Sequence, residues 1–163
     1  MKALTLTQPW ATLVAIGAKR IETRSWDTRY RGPLAIHAAK LFPKWAREFA
    51  SEPVCRQAVK ERAASSNIGR LVGWEHKPPF VVYPLGYVIA VCRLANVIPV
   101  EVVDNRNNVF GVSLPPLSEQ ERAFGDYGPG RFAWILEDIE LRDPAEAKGK
   151  LGLWEWRNAG SSL

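Results

Sequence analysis

Gly17-Ala18-Lys19-Arg20-Ile21-Glu22-Thr23-Arg24 is the stretch in which the chain changes period. Just upstream, Trp10, Leu13 and Val14 recur at i, i+3 and i+4, one face of a helix, and Gly17 is the residue type that closes a helix in the left-handed conformation. From Arg20 the period drops to two: Ile21, Thr23 and Ser25 fall on one side of a strand, and Arg20, Glu22, Arg24 and Trp26 on the other. The octet G-x-K-x-x-E-x-R therefore spans a helix-to-strand junction. Gly17 allows the turn, Lys19 projects from it, and Glu22 and Arg24 share a strand face about 7 Å apart along the backbone. A carboxylate between two cations can hold both in place and leave surplus positive charge and N–H donors for a phosphate or a base edge. The plainer alternative is a helix cap followed by a surface ion pair, worth about 0–1 kcal/mol.

Working outward, Leu4 and Leu6 alternate with Thr5 and Thr7 in a short strand, and Gln8-Pro9 puts proline where the first helical turn tolerates a missing N–H. Downstream, Asp27 to Pro33 reads as a turn, and Leu34-Ala35-Ile36-His37-Ala38 as a buried strand with His37 facing away from Ile36. Residues 40–85 differ in character. Trp45 and Phe49 are spaced i, i+4, Pro53 suits the start of another helix, and Val54, Ala58 and Val59 continue an apolar stripe, so the spacing predicts a helical insert. Ser65-Ser66-Asn67 and Lys77-Pro78-Pro79 have loop composition. The apolar run Gly86 to Pro99 predicts a strand covered on both faces, and Ser118-Glu119-Gln120-Glu121 has capping-box spacing for a short helix near Phe124. Phe132 to Leu136 and Leu151 to Trp156 complete the strand segments. Five or six short strands that do not alternate with helices imply an α+β fold, a small β-barrel with flanking short helices and the inserted helical segment.

The 163 residues fit one domain spanning 1–163, and 47% hydrophobic with 24% charged residues is the make-up of a packed globule. No apolar run is long enough to cross a membrane, and the opening turns polar before a signal-peptide core could form, so a cytoplasmic protein is expected. Cys55 and Cys92 are not part of a C-x-x-C ligand set, so neither structural zinc nor a disulfide is expected, and no motif calls for a cofactor. Lysine and arginine number 22 against 17 acidic residues, a net charge of +5. From Lys19 to Arg31 five basic residues face two acidic ones, a local excess expected of a phosphate-contacting surface or of a solvated basic face.

Trp26 and Tyr30, interleaved with Arg24, Arg29 and Arg31, form the basic and aromatic mixture that stacks unpaired bases while neutralising their backbone. His37 is a candidate general acid or base if its strand lies beside the octet strand, and otherwise a hydrogen-bonded core histidine. Trp10, Trp45 and Trp134 sit on apolar faces and are expected in the core. Gly128-Pro129-Gly130-Arg131 has the composition of a phosphate nest and equally of a hairpin turn.

The opening Leu4-Thr5-Leu6-Thr7-Gln8-Pro9-Trp10-Ala11, the octet, Arg31 to Ala38, Pro84-Leu85-Gly86, Gly130 to Trp134 and Lys148 to Trp154 together resemble the ASCH domain family, relatives of the PUA domains of RNA-modifying enzymes. The resemblance covers nearly the whole chain except the helical insert. It implies a PUA-like β-barrel whose helix, octet strand and adjoining loops line a cleft for RNA or other nucleic acid, with the motif on Gly17, Lys19, Glu22 and Arg24. Some relatives are described as nucleases, and one bacterial branch deacetylates N4-acetylcytidine with a lysine, a threonine three residues later and a distant glutamate. Here the residue three after Lys19 is Glu22, and Thr23 faces the other side of the strand, so that mechanism does not carry over.

Three functions are thus in play. The first is binding of single-stranded or unpaired nucleic acid, RNA in preference to DNA, by Lys19, Glu22, Arg24, Trp26, Arg29, Tyr30 and Arg31. The second is hydrolysis of a modified nucleoside or of RNA, with Lys19 and Glu22 as acid and base and His37 assisting. The third is a protein-interaction adaptor that works through the insert.

Overall fold

The computed structural model describes residues 1–63, 82–103, 108–109, 112–113 and 117–157. In chain order the elements are β1 (Lys2–Leu6), α1 (Trp10–Ala15), β2 (Ile21–Arg24), β3 (Gly32–Ala38), α2 (Lys44–Ser51), α3 (Pro53–Ala63), β4 (Tyr87–Pro99), α4 (Val100–Val103), β5 (Asn108–Val109), β6 (Val112–Ser113), α5 (Glu119–Ala123), β7 (Phe132–Glu146) and β8 (Leu153–Glu155). The predicted loops at 65–67 and 77–79 lie outside the described residues.

Six strands form one mixed sheet in the order β2-β7-β4-β3-β1-β8, with β1 parallel to β3 and the remaining pairs antiparallel. The long strands β4 and β7 are neighbours in it, and their pairing shifts register between Val88 and Ala90, Val91 and Arg93, and Leu94 and Asn96. Each bulge bends the strand and adds twist. The sheet curls far enough that Arg24, on edge strand β2, donates from Nη2 to the Thr5 carbonyl of β1 at 3.0 Å. β1 lies four strands away in the sheet order. The result is a half-barrel whose seam is crossed by a side chain instead of a backbone ladder.

α1 plugs the concave side. Ala11 and Val14 join Leu4, Leu34, Ile36, Ile89, Leu94 and Trp134 in one cluster, while Leu13 and Ile16 on its far side meet Cys55, Ala58 and Val59 of α3 and Phe124. A helix covered on two sides needs apolar residues nearly all round, and W-A-T-L-V-A supplies them. Its ends are satisfied from within. Buried Gln8 accepts the Thr12 N–H at 3.1 Å and donates to the Pro84 carbonyl at 2.8 Å. Beyond Gly17, whose φ is +71°, the N–H groups of Ala18 and Lys19 both return to the Leu13 carbonyl at 2.9 Å.

At α5, Ser118 Oγ accepts the Glu121 N–H at 3.1 Å, the first half of the predicted capping box. Ser118→Ala is expected to cost about 1 kcal/mol, read as a lower urea midpoint at unchanged slope. Trp134 is fully buried as its pattern predicts, whereas Trp45 is 59% exposed. An i, i+4 apolar pair marks a helix face without saying what covers it, and α2 turns the Trp45 end of that face toward an open cleft.

Candidate functional site

Lys19 follows the closed end of α1. The bonds from Ala18 and Lys19 back to Leu13 wrap the turn against the helix, so the Lys19 side chain runs inward and is 0% exposed, where the turn pattern predicts that it projects. Nζ donates to the Ile21 carbonyl and lies 3.7 Å from Glu22 Oε2 and 3.8 Å from Glu121 Oε1. Glu121 comes from α5. Instead of completing the capping box, its carboxylate accepts the N–H groups of Arg20 at 2.9 Å and Ile21 at 3.1 Å. Burial pushes the Glu121 carboxyl above the usual carboxylate range, against the Lys19 ammonium and the two N–H bonds, which favour the charged form. Glu22 Oε1 in turn stands 3.3 Å from Arg24 Nε. Two cations thus meet two carboxylates. The surplus positive charge expected of the octet is cancelled by a residue about a hundred positions away, which local spacing cannot disclose.

Arg24 and Glu22 form the floor of a cavity of about 480 Å³ at the seam between β1 and β2. Thr5, Thr7, Thr23, Trp10 and Trp45 line it beside them, with the Thr5 hydroxyl accepting from Trp154 Nε1 and that of Thr23 from the Asp126 N–H. Trp10 is held by its Nε1–H on the Phe124 carbonyl at 2.8 Å and by stacking on Phe49, with centroids 4.8 Å apart and planes within 7°. Trp45 leans against it at 5.6 Å. Asp126 and Arg131, paired at 3.4 Å, complete a lining that is charged yet balanced.

A second groove, of about 790 Å³, shares Thr5, Thr7 and Arg24 with the first and continues past Trp26, His37, Lys40 and the loop carrying Lys148 and Lys150. His37 is buried, with Nε2 at 3.0 Å from the Ala147 carbonyl and its ring edge-on to Trp154 at 5.6 Å. Burial lowers its pKa, opposed by the Ala147 bond. A carbonyl only accepts, so Nε2 is the donor to Ala147, and Nδ1 is buried with no hydrogen-bond partner among the described residues.

The ASCH domain family matches residues 4–123, a span that takes in the octet, α1, the end of β1 and the strands β2 to β6. The chain belongs to the ASCH domain family. Among solved structures, the ASCH protein of Zymomonas mobilis is 14% identical, with 96% of this chain and 87% of that one covered and a TM-score of 0.48. Two mutants of the Zymomonas mobilis protein match at 14% and 17% identity, with 96% of this chain covered in both cases, 89% and 87% of theirs, and a TM-score of 0.48. No curated protein matches the chain. The fold is the α+β, PUA-like half-barrel of that family, with several short helices.

Within this ASCH domain the site residues named from sequence divide into three groups. Glu22 and Arg24 line the seam cavity, and Arg24, Trp26 and His37 the adjoining groove. Lys19 lies behind Glu22, positioned by the turn at Gly17. Arg29, Tyr30 and Arg31 line neither cavity. Tyr30 donates to the Pro33 carbonyl at 2.5 Å, and Arg31 donates to the Thr28 and Tyr30 carbonyls and to Asn96 Oδ1, fixing the turn to β4. His37 does not flank the octet strand, because β3 pairs with β1 and β4 while β2 pairs only with β7. In the Gly128 to Arg131 loop the Gly128 N–H is taken by Asp126 and the Gly130 N–H by Glu101 of α4, so a carboxylate already occupies donors that a phosphate nest would need.

Spacing did not point to Lys40, Lys148, Lys150 or Arg131 as lining residues. The Lys148-Gly149-Lys150 run was the available signal, a pair of cations separated by the smallest residue. Among the described residues no cluster of His, Cys, Asp or Glu could hold a metal ion, and no helix is long and apolar enough to cross a membrane. Both cysteines are free and buried, and burial pushes the Cys55 thiol up to about 11 and that of Cys92 up to about 12.

Proposed function

We propose that this ASCH domain binds unpaired nucleic acid, RNA in preference to DNA, with one base seated in the seam cavity. The observation that carries this reading is the Glu22–Arg24 pair on the cavity floor, beside hydroxyls and two indoles. A carboxylate accepts from exocyclic amino groups and from a ring N–H such as that of uracil, a guanidinium donates to carbonyl and ring-nitrogen edges, and indole faces stack on any base. Such a lining suits a flat, uncharged, hydrogen-bonding group.

Binding is favoured over hydrolysis by the placement of the three candidate catalytic side chains. Lys19 touches Glu22 but is fully buried, held by the Ile21 carbonyl and two carboxylates, and His37 opens onto the second groove instead of the seam cavity, so neither meets Glu22 at a reacting atom in that cavity. The adaptor reading draws no support from α2, whose Trp45 helps line the same cavity.

The test is the affinity of a labelled oligouridylate, followed by fluorescence anisotropy, for the wild type, Glu22→Gln and Arg24→Gln. Loss of charge-assisted bonds, each worth about 1.5–3 kcal/mol, is expected to weaken binding by about ten-fold or more. Unchanged affinity in variants that still melt cooperatively would reject the site.

A further inference from the structure

The two cavities differ in charge, and that difference bears on the size of the ligand. The seam cavity sets Glu22 and Asp126 against Arg24 and Arg131. The groove that continues from it carries Arg24, Lys40, Lys148 and Lys150 and has no acidic residue in its lining. Arg24 is paired with Glu22, but Lys40, Lys148 and Lys150 have no acidic partner in the groove lining, and a bound polyanion relieves their mutual repulsion.

The lysines are set in a particular way. Gly149 lies so close over His37 that a Cβ there would fall 2.5 Å from His37 Cε1 and 2.9 Å from Thr5 Oγ1. The loop is thereby seated at its midpoint on a buried ring, which itself holds the preceding Ala147 carbonyl. Lys148 and Lys150 flank that fixed point, both exposed, while Lys40 contributes from the segment after β3. Lys40 and Lys150 each have a bare leucine next to them in sequence, Leu41 at 80% and Leu151 at 99% exposure, and Trp26 belongs to the same lining. Alternating cations and apolar surface is the pattern that takes a single strand, phosphates on the lysines and bases or riboses against the hydrocarbon.

We infer that this groove is a phosphate track and that the ligand is an oligonucleotide strand. One unpaired base sits in the seam cavity, and the neighbouring phosphates run past Arg24 along Lys40, Lys148 and Lys150. The inference rests on the proposed function and adds a second subsite and the path of the ligand's backbone through it.

The experiment compares oligouridylate with uridine monophosphate on Lys148→Gln/Lys150→Gln, and uses Arg56→Gln/Lys60→Gln on α3 as a control with the same change of charge. Each lost phosphate contact lowers the slope of log affinity against log salt by about 0.7 for a single strand. The groove variant is therefore expected to lose about ten-fold in oligouridylate affinity and about 1.4 in salt slope, with mononucleotide binding unchanged and the control close to wild type. An unaltered affinity and slope in the groove variant would overturn the track, as would an equal loss in the α3 control. A parallel loss for the mononucleotide would overturn the strand-length claim. None of these results touches the seam cavity, whose own failure appears as unchanged binding in Glu22→Gln and Arg24→Gln.

Discussion

Replacing Lys19 by methionine is expected to destabilise the domain by about 3–5 kcal/mol, the cost of removing one partner from a buried ion cluster. The ammonium lies between Glu22 and Glu121, both largely out of water, and no other described cation is paired with Glu121. Without it two carboxylates face one another in a poorly solvated space. Domains of this size are stable by about 5–15 kcal/mol, so the loss is a large fraction of the whole. Urea unfolding at pH 7 measures it. Lys19→Met/Glu121→Gln is expected to recover part of the loss, because the uncompensated charge goes while an amide can still accept one of the Arg20 and Ile21 N–H bonds. A single variant within 1 kcal/mol of wild type would show that the cluster contributes little to folding.

Trp134→Ala is expected to cost about 3–5 kcal/mol as a cavity in the centre of the sheet. Trp134 lies opposite Glu22 on β2 and Val97 on β4, and belongs to the cluster that packs the sheet against α1. It also carries the site. Trp26 meets it edge-on at 4.6 Å, and its Nε1–H points to the Trp26 carbonyl at 3.4 Å. The truncation should therefore lower the affinity for oligouridylate as well as the urea midpoint. Trp134→Phe, which keeps a ring under Trp26 but drops the N–H, is expected to fall between the two. Oligouridylate binding that is unaffected by Trp134→Ala, in protein still folded at the assay temperature, would separate Trp26 from the site.

Local pattern disclosed those parts of the fold whose neighbours are close in sequence. The 3.6-residue spacing of Trp10, Leu13 and Val14, the stop at Gly17 and the switch to period two all reappear as α1 and β2. The apolar run after Gly86 is β4. What periodicity could not yield was the order of the strands, since β2 bonds to β7, more than a hundred residues later, and β3 takes β1 in parallel. That missing order is why His37 was expected beside the octet. That Glu22 and Arg24 line one cavity was legible because they share a strand face. Lys19 was misjudged for a different reason. Its partner Glu121 comes from another element, and a lysine in a turn is ordinarily solvated. Lys40, Lys148 and Lys150 read as surface charge until the curl of the sheet set them around one groove.

The Arg24–Thr5 link also sets a mechanical property of the cleft. β8 accompanies β1 only from Lys2 to Leu4, and beyond that point the margin facing β2 has no periodic N–H to carbonyl lattice to fix its width. Paired strands stand at a set spacing near 4.8 Å, but a margin joined through one long, rotatable side chain is under no such rule. The aperture can therefore adjust by graded amounts to groups of different size. Ligand groups that recruit the Arg24 guanidinium compete with the Thr5 carbonyl for the same donors, so occupancy and the width of the opening are thermodynamically linked through one residue.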